Sequence, residues 1–323
     1  MTGSIVYQVQ TLYKESGICK IGFSKHSDKE SFRDSFHKKA TWNDIGQNTG
    51  IYSYATADAY REVWISAFEH IKAKYHIRDI ENITGDQVAD FLFLKVKEQV
   101  KLATYKQYAS ALRKLSVALN LYAEKTESGC KYDFNESIDA ISELAVRELE
   151  RFEGVRSYKN PEMMIESIPD DFHRLVAKIQ HDGGARIDEV FGIKPESLQG
   201  VDIRPFTGKK AGVVTVKGKG GKIRNIYIGV DEYNKLKASL KDKKNNHFDK
   251  NKYRNTLKKA AAATEQKYTG SHGLRWNFAK NRMKDVQNGG DCYEYGLSVV
   301  SLEMGHVRAD ITEHYLKDIL FNQ

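Results

Sequence analysis

The sequence lacks the features of secreted, membrane-spanning and zinc-knuckle proteins. Its three cysteines, Cys19, Cys130 and Cys292, are too widely spaced to form a disulfide framework or a paired-cysteine metal site. No apolar run approaches the roughly 18 residues of a membrane-spanning helix, and the first residues lack the charged and apolar regions of a signal peptide. These absences predict a cytoplasmic protein with no membrane segment.

Two further absences concern chemistry. The sequence has no Gly-x-x-x-x-Gly-Lys-Ser/Thr loop of the kind that binds nucleotide phosphates. It also has no cluster of Asp and Glu residues of the kind that holds a divalent cation. We therefore expect neither ATP nor a metal ion as a cofactor.

Positive charge is in excess and is unevenly distributed. The chain has 51 Lys and Arg residues against 43 Asp and Glu residues, which gives a formal net charge of +8. Residues 1–155 hold 21 basic and 22 acidic side chains, whereas residues 156–323 hold 30 and 21. A polyanion is the expected partner, nucleic acid first, and the C-terminal half carries the positive field.

Length and pattern divide the chain into an N-terminal segment and two domains. A chain of 323 residues exceeds the size at which a single core usually suffices. Residues 1–50 show no sustained period and are assigned to an extension or arm of unknown structure. Residues 51–155 predict a helical domain, because apolar residues recur at three- and four-residue steps from Tyr60 to Ile71. A polar linker at 154–161 marks the boundary to the rest of the chain.

The second domain, residues 156–323, predicts helices and a small sheet. Residues 198–203, 212–217 and 223–228 predict three short strands. Residues 218–222 are all Gly or Lys and join the last two strands as a hairpin. The predicted fold class is therefore mainly α with a small antiparallel β-sheet, a helical domain followed by a mixed α+β domain.

Several exposed cations have two interpretations. Lys106, Arg113 and Lys114 share the polar side of a predicted helix, and Lys217 and Lys222 flank the hairpin turn. A solvated helix face or turn explains such charges without any function. In a protein that binds nucleic acid they contact backbone phosphates, and we assign them as candidate DNA-binding residues.

The last fifty residues combine a nucleophile with an anion site. Tyr315 carries a phenol, which is a poor nucleophile at its ordinary pKa of about 10. His272 and Arg275 are three residues apart, so they share one face of a helix for which Ser271 is the predicted N-cap. Helix N-termini and arginine forks both favour phosphate. Chance spacing and ordinary packing are the alternatives for each residue taken alone.

Two upstream segments bear on this site. Arg186 follows a double glycine among apolar residues, where an unpaired guanidinium is costly, and Glu189 three residues later can pair with it. Lys219 lies in the Gly-rich hairpin turn, whose flexibility lets its side chain reach into a groove. A structural ion pair and an idle surface lysine are the alternative interpretations.

In order along the chain, these residues resemble the active site of the tyrosine recombinases, the family of phage integrases and the Cre and Xer recombinases. The matching segments are GGARIDEVFGI, TVKGKGGKIRNIYI, SHGLRWNFAKNRM and EMGHVRADITEHYL, and the last contains a nine-residue step from His306 to Tyr315. The resemblance covers about residues 160–323. Residues 55–150 resemble the family's helical core DNA-binding domain in pattern only, and residues 1–50 match nothing in the family.

The resemblance implies a covalent mechanism without metal. Tyr315 attacks the scissile phosphate and becomes joined to the 3′ end, releasing a 5′ hydroxyl. Arg186 and Arg275 bind the non-bridging oxygens as charge builds. The implied enzyme is a site-specific recombinase, an integrase or resolvase, that acts as a homotetramer on two double-stranded DNA sites through a Holliday junction.

The resemblance also implies supporting roles. Lys219 donates a proton to the leaving oxygen, and His272 accepts a proton or a hydrogen bond. His306 forms a hydrogen bond to the phosphate, and Glu189 steadies Arg186. A type IB topoisomerase or a telomere resolvase has a similar site, and a DNA-binding protein that has lost turnover is a third interpretation.

The sequence departs from the family pattern at three places. Met304 stands where many relatives have Leu, and Trp276 stands where they often have His, so Trp276 is expected to pack rather than to catalyse. Eight residues follow Tyr315. Members of the family commonly pass a C-terminal segment to the neighbouring subunit. Here we expect only a short apolar segment for such docking, formed by Leu316, Ile319, Leu320 and Phe321.

Overall fold

The computed structural model describes residues 1–35, 39–151, 154–218, 221–241, 249–306 and 308–320. The predicted proton donor Lys219 and the tail residue Phe321 lie outside these ranges. The chain divides into two compact units, Met1–Glu153 and Gly154–Gln323. No helix in the described part combines the length and apolarity needed to cross a bilayer.

The first unit is helical. Its helices are α1 (Ile5–Glu15), α2 (Lys25–Ser35), α3 (Trp42–Gln47), α4 (Tyr54–Tyr75), α5 (Gly85–Lys97), α6 (Leu102–Lys125) and α7 (Asn135–Glu148). The apolar stripe predicted for α4 is buried at Val63, Trp64, Ala67, Phe68 and Ile71. It belongs to one hydrophobic core to which α1, α4, α5, α6 and α7 contribute.

The first part of the N-terminal segment packs into the same core. Val9 and Leu12 of α1 are buried in it, and Ile18 lies beside Ile51, where the chain forms a short parallel bridge. The buried side-chain amide of Gln8 donates to the Arg78 carbonyl (2.8 Å) and accepts from the Ile80 amide (2.9 Å). These bonds attach α1 to the segment that follows α4.

The second unit contains eight helices and three strands within its described residues. The helices are α8 (Pro161–Glu166), α9 (Asp171–Gly183), α10 (Ile187–Phe191), α11 (Val230–Lys241), α12 (Lys250–Ala263), α13 (His272–Asn288), α14 (Tyr293–Glu303) and α15 (Asp310–Leu320). The strands are β1 (Leu198–Ile203), β2 (Lys210–Lys217) and β3 (Ile223–Ile228). The predicted fold class, mainly α with a small antiparallel sheet, is confirmed.

The sheet has the order β1-β2-β3 and is antiparallel throughout. Val214 of β2 lies opposite Ile226 of β3, and both are buried. Because side chains alternate along a strand, Arg224, Ile226 and Ile228 lie on the same face of β3. Ile226 and Ile228 pack against Gly183 of α9, so this is the inward face of the sheet.

Helix α13 begins at His272, but Ser271 does not cap it. The Ser271 backbone is already helical (φ −60°, ψ −22°), and its hydroxyl accepts no capping hydrogen bond. A side-chain cap needs an extended backbone at this position. The turn into the helix is made one residue earlier by Gly270, whose φ of +78° a glycine adopts readily. The predicted N-cap is therefore wrong.

Candidate active site

Tyr315 lies on α15 and is 6% exposed. Aromatic rings surround it, with centroid distances of 5.2 Å to Trp276, 5.6 Å to His306 and 5.8 Å to His272. Its hydroxyl oxygen is 3.2 Å from Nε2 of His272. The phenol is thus held in one orientation by packing, with a histidine nitrogen within hydrogen-bond distance.

His272 is suited to accept the phenol proton. Burial and the nearby positive charges of Arg275 and Arg156 lower its pKa to about 4. The imidazole is therefore neutral near pH 7, with a lone pair on one ring nitrogen. When the Tyr315 hydroxyl donates to Nε2, the proton of the ring resides on Nδ1 and Nε2 acts as the acceptor.

Arg275 lies on α13, is fully buried and donates hydrogen bonds to the C-terminal ends of two other helices. Its Nη1 donates to the carbonyl of Gly184, the C-cap of α9, and its Nη2 donates to the carbonyl of Met304, the C-cap of α14. Helix ends leave carbonyls without partners and favour cations. Burial and the charge of Arg186 lower the pKa of Arg275 to about 10, which leaves it charged at neutral pH.

His306 follows the glycine turn at the end of α14. Its Nε2 lies 3.2 Å from Nη2 of Arg275. A guanidinium only donates, so Nε2 is the acceptor and the ring proton resides on Nδ1. Burial and the charges of Arg275 and Arg186 lower the His306 pKa to about 3, so the ring is neutral.

Two donors of this site are buried and unpaired. Nε of Arg275 and Nδ1 of His306 have no hydrogen-bond partner within the described part of the chain. An unsatisfied buried donor costs about 1–3 kcal/mol, so such atoms favour a ligand with acceptor oxygens. A phosphate oxygen meets this requirement.

Arg186 and Glu189 form the ion pair that their spacing predicts. Nη1 of Arg186 donates to Oε1 of Glu189 (2.8 Å), and the Arg186 amide donates to Oε2 (2.7 Å). The Arg186 side chain is 28% exposed, whereas that of Glu189 is 2% exposed. The carboxylate is therefore a buried anchor, and the guanidinium above it remains accessible.

The structure brings six of the predicted residues together in the second unit. The charge of Arg186 lowers the pKa of both Arg275 and His306. These two residues adjoin Tyr315 and His272. Glu189 anchors Arg186. The seventh, Lys219, lies outside the described residues. The glycine before it approaches the site, because a Cβ at Gly218 would lie 2.7 Å from Oε1 of Glu189.

The candidate DNA-binding cations differ in their surroundings. Lys106 and Lys217 are exposed and Lys222 is half-buried. Arg113 pairs with Asp139. The Lys114 ammonium donates to the carbonyls of Gly46 and Thr49, and burial lowers its pKa to about 8. For Lys114 these bonds favour a structural role over the predicted phosphate contact.

Sequence reasoning missed Arg224 on β3. Nη1 and Nη2 of Arg224 donate to Oε1 and Oε2 of Glu189 (3.0 and 2.7 Å), and Nε donates to the Glu303 carbonyl (2.7 Å). A signal was present in the sequence. Arg224 precedes Ile226 and Ile228 by two and four residues, so all three side chains lie on the same face of the strand. An arginine on an apolar strand face needs an acidic partner.

The fold is similar to that of solved DNA recombinases. The XerH site-specific recombinase in a post-cleavage complex with palindromic difH substrate is 18% identical, with a TM-score of 0.63, covering 97% of this chain and 92% of that chain. A lambda integrase dimer bound to a COC′ core site is 14% identical (TM-score 0.55, 91% and 77% covered). The Tn1549 transposon integrase in complex with circular intermediate DNA is 13% identical (TM-score 0.53, 91% and 95% covered).

No family model and no curated protein matches the sequence. At identities this low, the similarity shows the fold. The chain has the fold of the tyrosine-type site-specific recombinases and integrases. The resemblance inferred from the four sequence segments is thereby confirmed at the level of the fold.

Proposed function

We propose that this chain is a site-specific DNA recombinase, an integrase or resolvase, that cleaves and rejoins DNA through a 3′-phosphotyrosine. One observation carries the proposal. The Tyr315 hydroxyl lies 3.2 Å from Nε2 of the neutral His272. In the same site, Arg275 and His306 have buried donors without a partner among the described residues. Nucleophile, proton acceptor and anion site are the three parts that phosphoryl transfer needs.

In the proposed cleavage step, the Tyr315 oxygen attacks the scissile phosphorus while its proton passes to Nε2 of His272. The bond from phosphorus to the 5′ oxygen breaks, and that oxygen leaves as a hydroxyl after taking a proton from Lys219. Arg186, Arg275 and His306 stabilise the non-bridging oxygens. The phosphotyrosine conserves the bond energy, so a 5′ hydroxyl rejoins the strand without ATP.

The proposed assembly is a homotetramer on two double-stranded DNA sites, with a Holliday junction between two rounds of strand exchange. Support comes from the structural relatives, whose structures were solved with DNA. The excess of 30 basic over 21 acidic residues in positions 156–323 favours a polyanion at the unit that contains the site. We place the protein on DNA in the cytoplasm.

Covalent trapping tests the proposal. Duplexes of random sequence with a central nick are incubated with the protein, and SDS-resistant adducts are collected and sequenced. The short strand beyond the nick diffuses away after cleavage and leaves the adduct in place. We expect wild-type protein to form adducts on an enriched sequence and Tyr315→Phe to form none. Tyr295→Phe, which removes the hydroxyl of a half-exposed tyrosine on α14, is the matched control and retains the adduct.

No wild-type adduct, or an adduct that persists in Tyr315→Phe, refutes the proposal. The enriched sequence then separates the recombinase from a topoisomerase. Strand exchange between two copies of that sequence supports the recombinase. Relaxation of a supercoiled plasmid that lacks the sequence supports a type IB topoisomerase instead.

A further inference from the structure

Arg224 connects two parts of the candidate active site that are far apart in sequence. Its side chain is 9% exposed on the inward face of β3. One edge of the guanidinium faces α10, where Glu189 anchors Arg186. Its Nε faces the end of α14, which leads into His306. Each of its three nitrogens donates a hydrogen bond to a protein group.

On the α10 side, one carboxylate serves two arginines. Oε1 of Glu189 accepts from Nη1 of both Arg186 and Arg224, at 2.8 and 3.0 Å. Oε2 accepts from the Arg186 amide and from Nη2 of Arg224, both at 2.7 Å. Bidentate pairing fixes the plane of a carboxylate as well as its distance. Arg224 therefore determines how Glu189 is presented to Arg186.

On the α14 side, two arginines hold consecutive carbonyls. Nε of Arg224 donates to the carbonyl of Glu303, and Nη2 of Arg275 donates to the carbonyl of Met304. Gly305 follows with a φ of +70°, and a Cβ there would lie 3.1 Å from Nη1 of Arg224. The turn is packed directly on the Arg224 guanidinium and delivers the His306 ring to Arg275.

We propose that Arg224 is a positioning residue for DNA cleavage, which holds Arg186 through Glu189 and the His306 turn through Glu303 in one fixed arrangement. This inference rests on the function proposed above. Arg224 acts through other residues, because its side chain is largely buried and each of its nitrogens donates to the carboxylate or to the carbonyl. A misplacement of about 1 Å in a catalytic group can slow a reaction about 10²-fold.

The primary test replaces Arg224 by Gln and measures single-turnover cleavage of the nicked substrate, DNA affinity and melting temperature. We expect cleavage to slow about 10²-fold. Affinity should change little, because binding is spread over many phosphates. Arg224→Lys should lose less than Arg224→Gln, since one ammonium reaches either the carboxylate or the carbonyl but cannot span both.

Arg174→Gln is the matched control. Arg174 also holds a backbone carbonyl and a carboxylate in the same unit, those of Ile168 and Asp171, but these partners lie outside the site. The control should lose stability and still cleave at the wild-type rate. All variants are assayed below their melting temperatures.

The dependence of cleavage on pH separates positioning from a general loss of structure. Burial raises the pKa of Glu189, but the bonds from Arg224 and from the Arg186 amide outweigh it and bring the pKa to about 2. Without Arg224 the pKa rises, so the carboxylate loses its charge at a higher pH. Cleavage by Arg224→Gln should therefore fall more steeply than wild type as the pH is lowered from about 8 to 5.

A double-mutant cycle with Glu189→Gln completes the test. If Arg224 acts through Glu189, the two substitutions together slow cleavage less than the product of their separate effects. Two results overturn the inference: wild-type cleavage by folded Arg224→Gln, or multiplicative losses with an unchanged pH profile. Failure of wild-type protein to form any Tyr315 adduct refutes the proposed function instead, so the two failures are distinguishable.

Discussion

The Arg275 guanidinium shows how one side chain can be prepared for the phosphate ligand proposed above. Taking a guanidinium out of water is costly unless acceptors replace the lost hydration. The carbonyls of Gly184 and Met304 supply them, and both are helix-terminal groups that need donors. Nε has no partner among the described residues and is a donor already fixed in direction. Such preorganisation favours catalysis because no reorganisation is needed during the reaction.

Gly184, whose carbonyl accepts from Arg275, leaves no room for an added methyl group. It ends α9 with a φ of +62°, and an added Cβ would overlap the ring of Phe278. We predict that Gly184→Ala lowers the free energy of unfolding by about 3 kcal/mol, the sum of left-handed backbone strain and overpacking. Urea unfolding followed by fluorescence measures the change.

Gly208→Ala is the control for backbone strain. Gly208 has nearly the same φ, +65°, but an added Cβ would meet no atom of the described residues within 4 Å, its chain neighbours aside. This substitution should lower the free energy of unfolding by only about 1 kcal/mol. Equal losses at the two glycines would show that Phe278 yields freely and that the close approach is unimportant.

At the scale of elements, α13 and α14 are joined by an ion pair whose arginine is fully buried. Arg282, with a side chain 0% exposed, donates from Nε and Nη2 to the two oxygens of Glu303, both at 2.7 Å. Its Nη1 donates to the Pro205 carbonyl (2.9 Å). Glu303 is therefore held at its side chain by Arg282 and at its carbonyl by Arg224.

We predict that Glu303→Ala lowers the free energy of unfolding by about 3 kcal/mol, because it leaves a buried guanidinium without its main partner. Calorimetry or urea unfolding measures the loss. Combining it with Arg282→Met removes the stranded charge and should recover most of the stability. A double variant as unstable as Glu303→Ala would mean that packing, and not the unpaired charge, causes the loss.

The elements were predictable where local patterns determine them. The limits of β1 and β3 agree with the strands expected at 198–203 and 223–228, and β2 begins two residues earlier than expected. Thr84 and Gln87 form the capping box that starts α5. Residues 1–50 show no apolar period in the sequence, because α2 buries no residue and α1 buries only Gln8, Val9 and Leu12.

The rest depended on contacts between distant segments. The Ser271 cap failed because Gly270 turns the chain before it, a backbone choice that residue types do not reveal. Its place on the polar side of a helix predicts an exposed Lys114, yet its ammonium donates to carbonyls of a segment more than 60 positions away. Glu189 likewise accepts from both Arg186 and Arg224 only because the fold places β3 beside α10. Family resemblance identified the other site residues but not Arg224.

At the scale of the whole molecule, the charge distribution bears on the proposed binding of DNA. The net charge of +8 arises in residues 156–323, since residues 1–155 are nearly neutral. If the protein contacts roughly 6 to 10 phosphates, we predict that DNA affinity falls about 10³- to 10⁵-fold between 50 and 200 mM salt. Fluorescence anisotropy with a labelled duplex measures the slope.

Two lysines of α6 provide an internal comparison for this slope. Lys106→Gln should reduce the slope by about one if its exposed ammonium contacts a phosphate. Lys114→Gln should leave the slope unchanged and lower the melting temperature, because its ammonium bonds to two carbonyls. An affinity that does not vary with salt would contradict the electrostatic account of binding.

The turn at residues 304–306 has a consequence for how proteins of this fold can diverge. Surface turns usually tolerate inserted residues. Here, adjacent carbonyls are held by Arg224 and Arg275, and the imidazole two residues later returns to Arg275. One extra residue would displace a member of this set by up to about 3.8 Å. Insertions and deletions should therefore accumulate in other loops, while this turn changes by substitution alone.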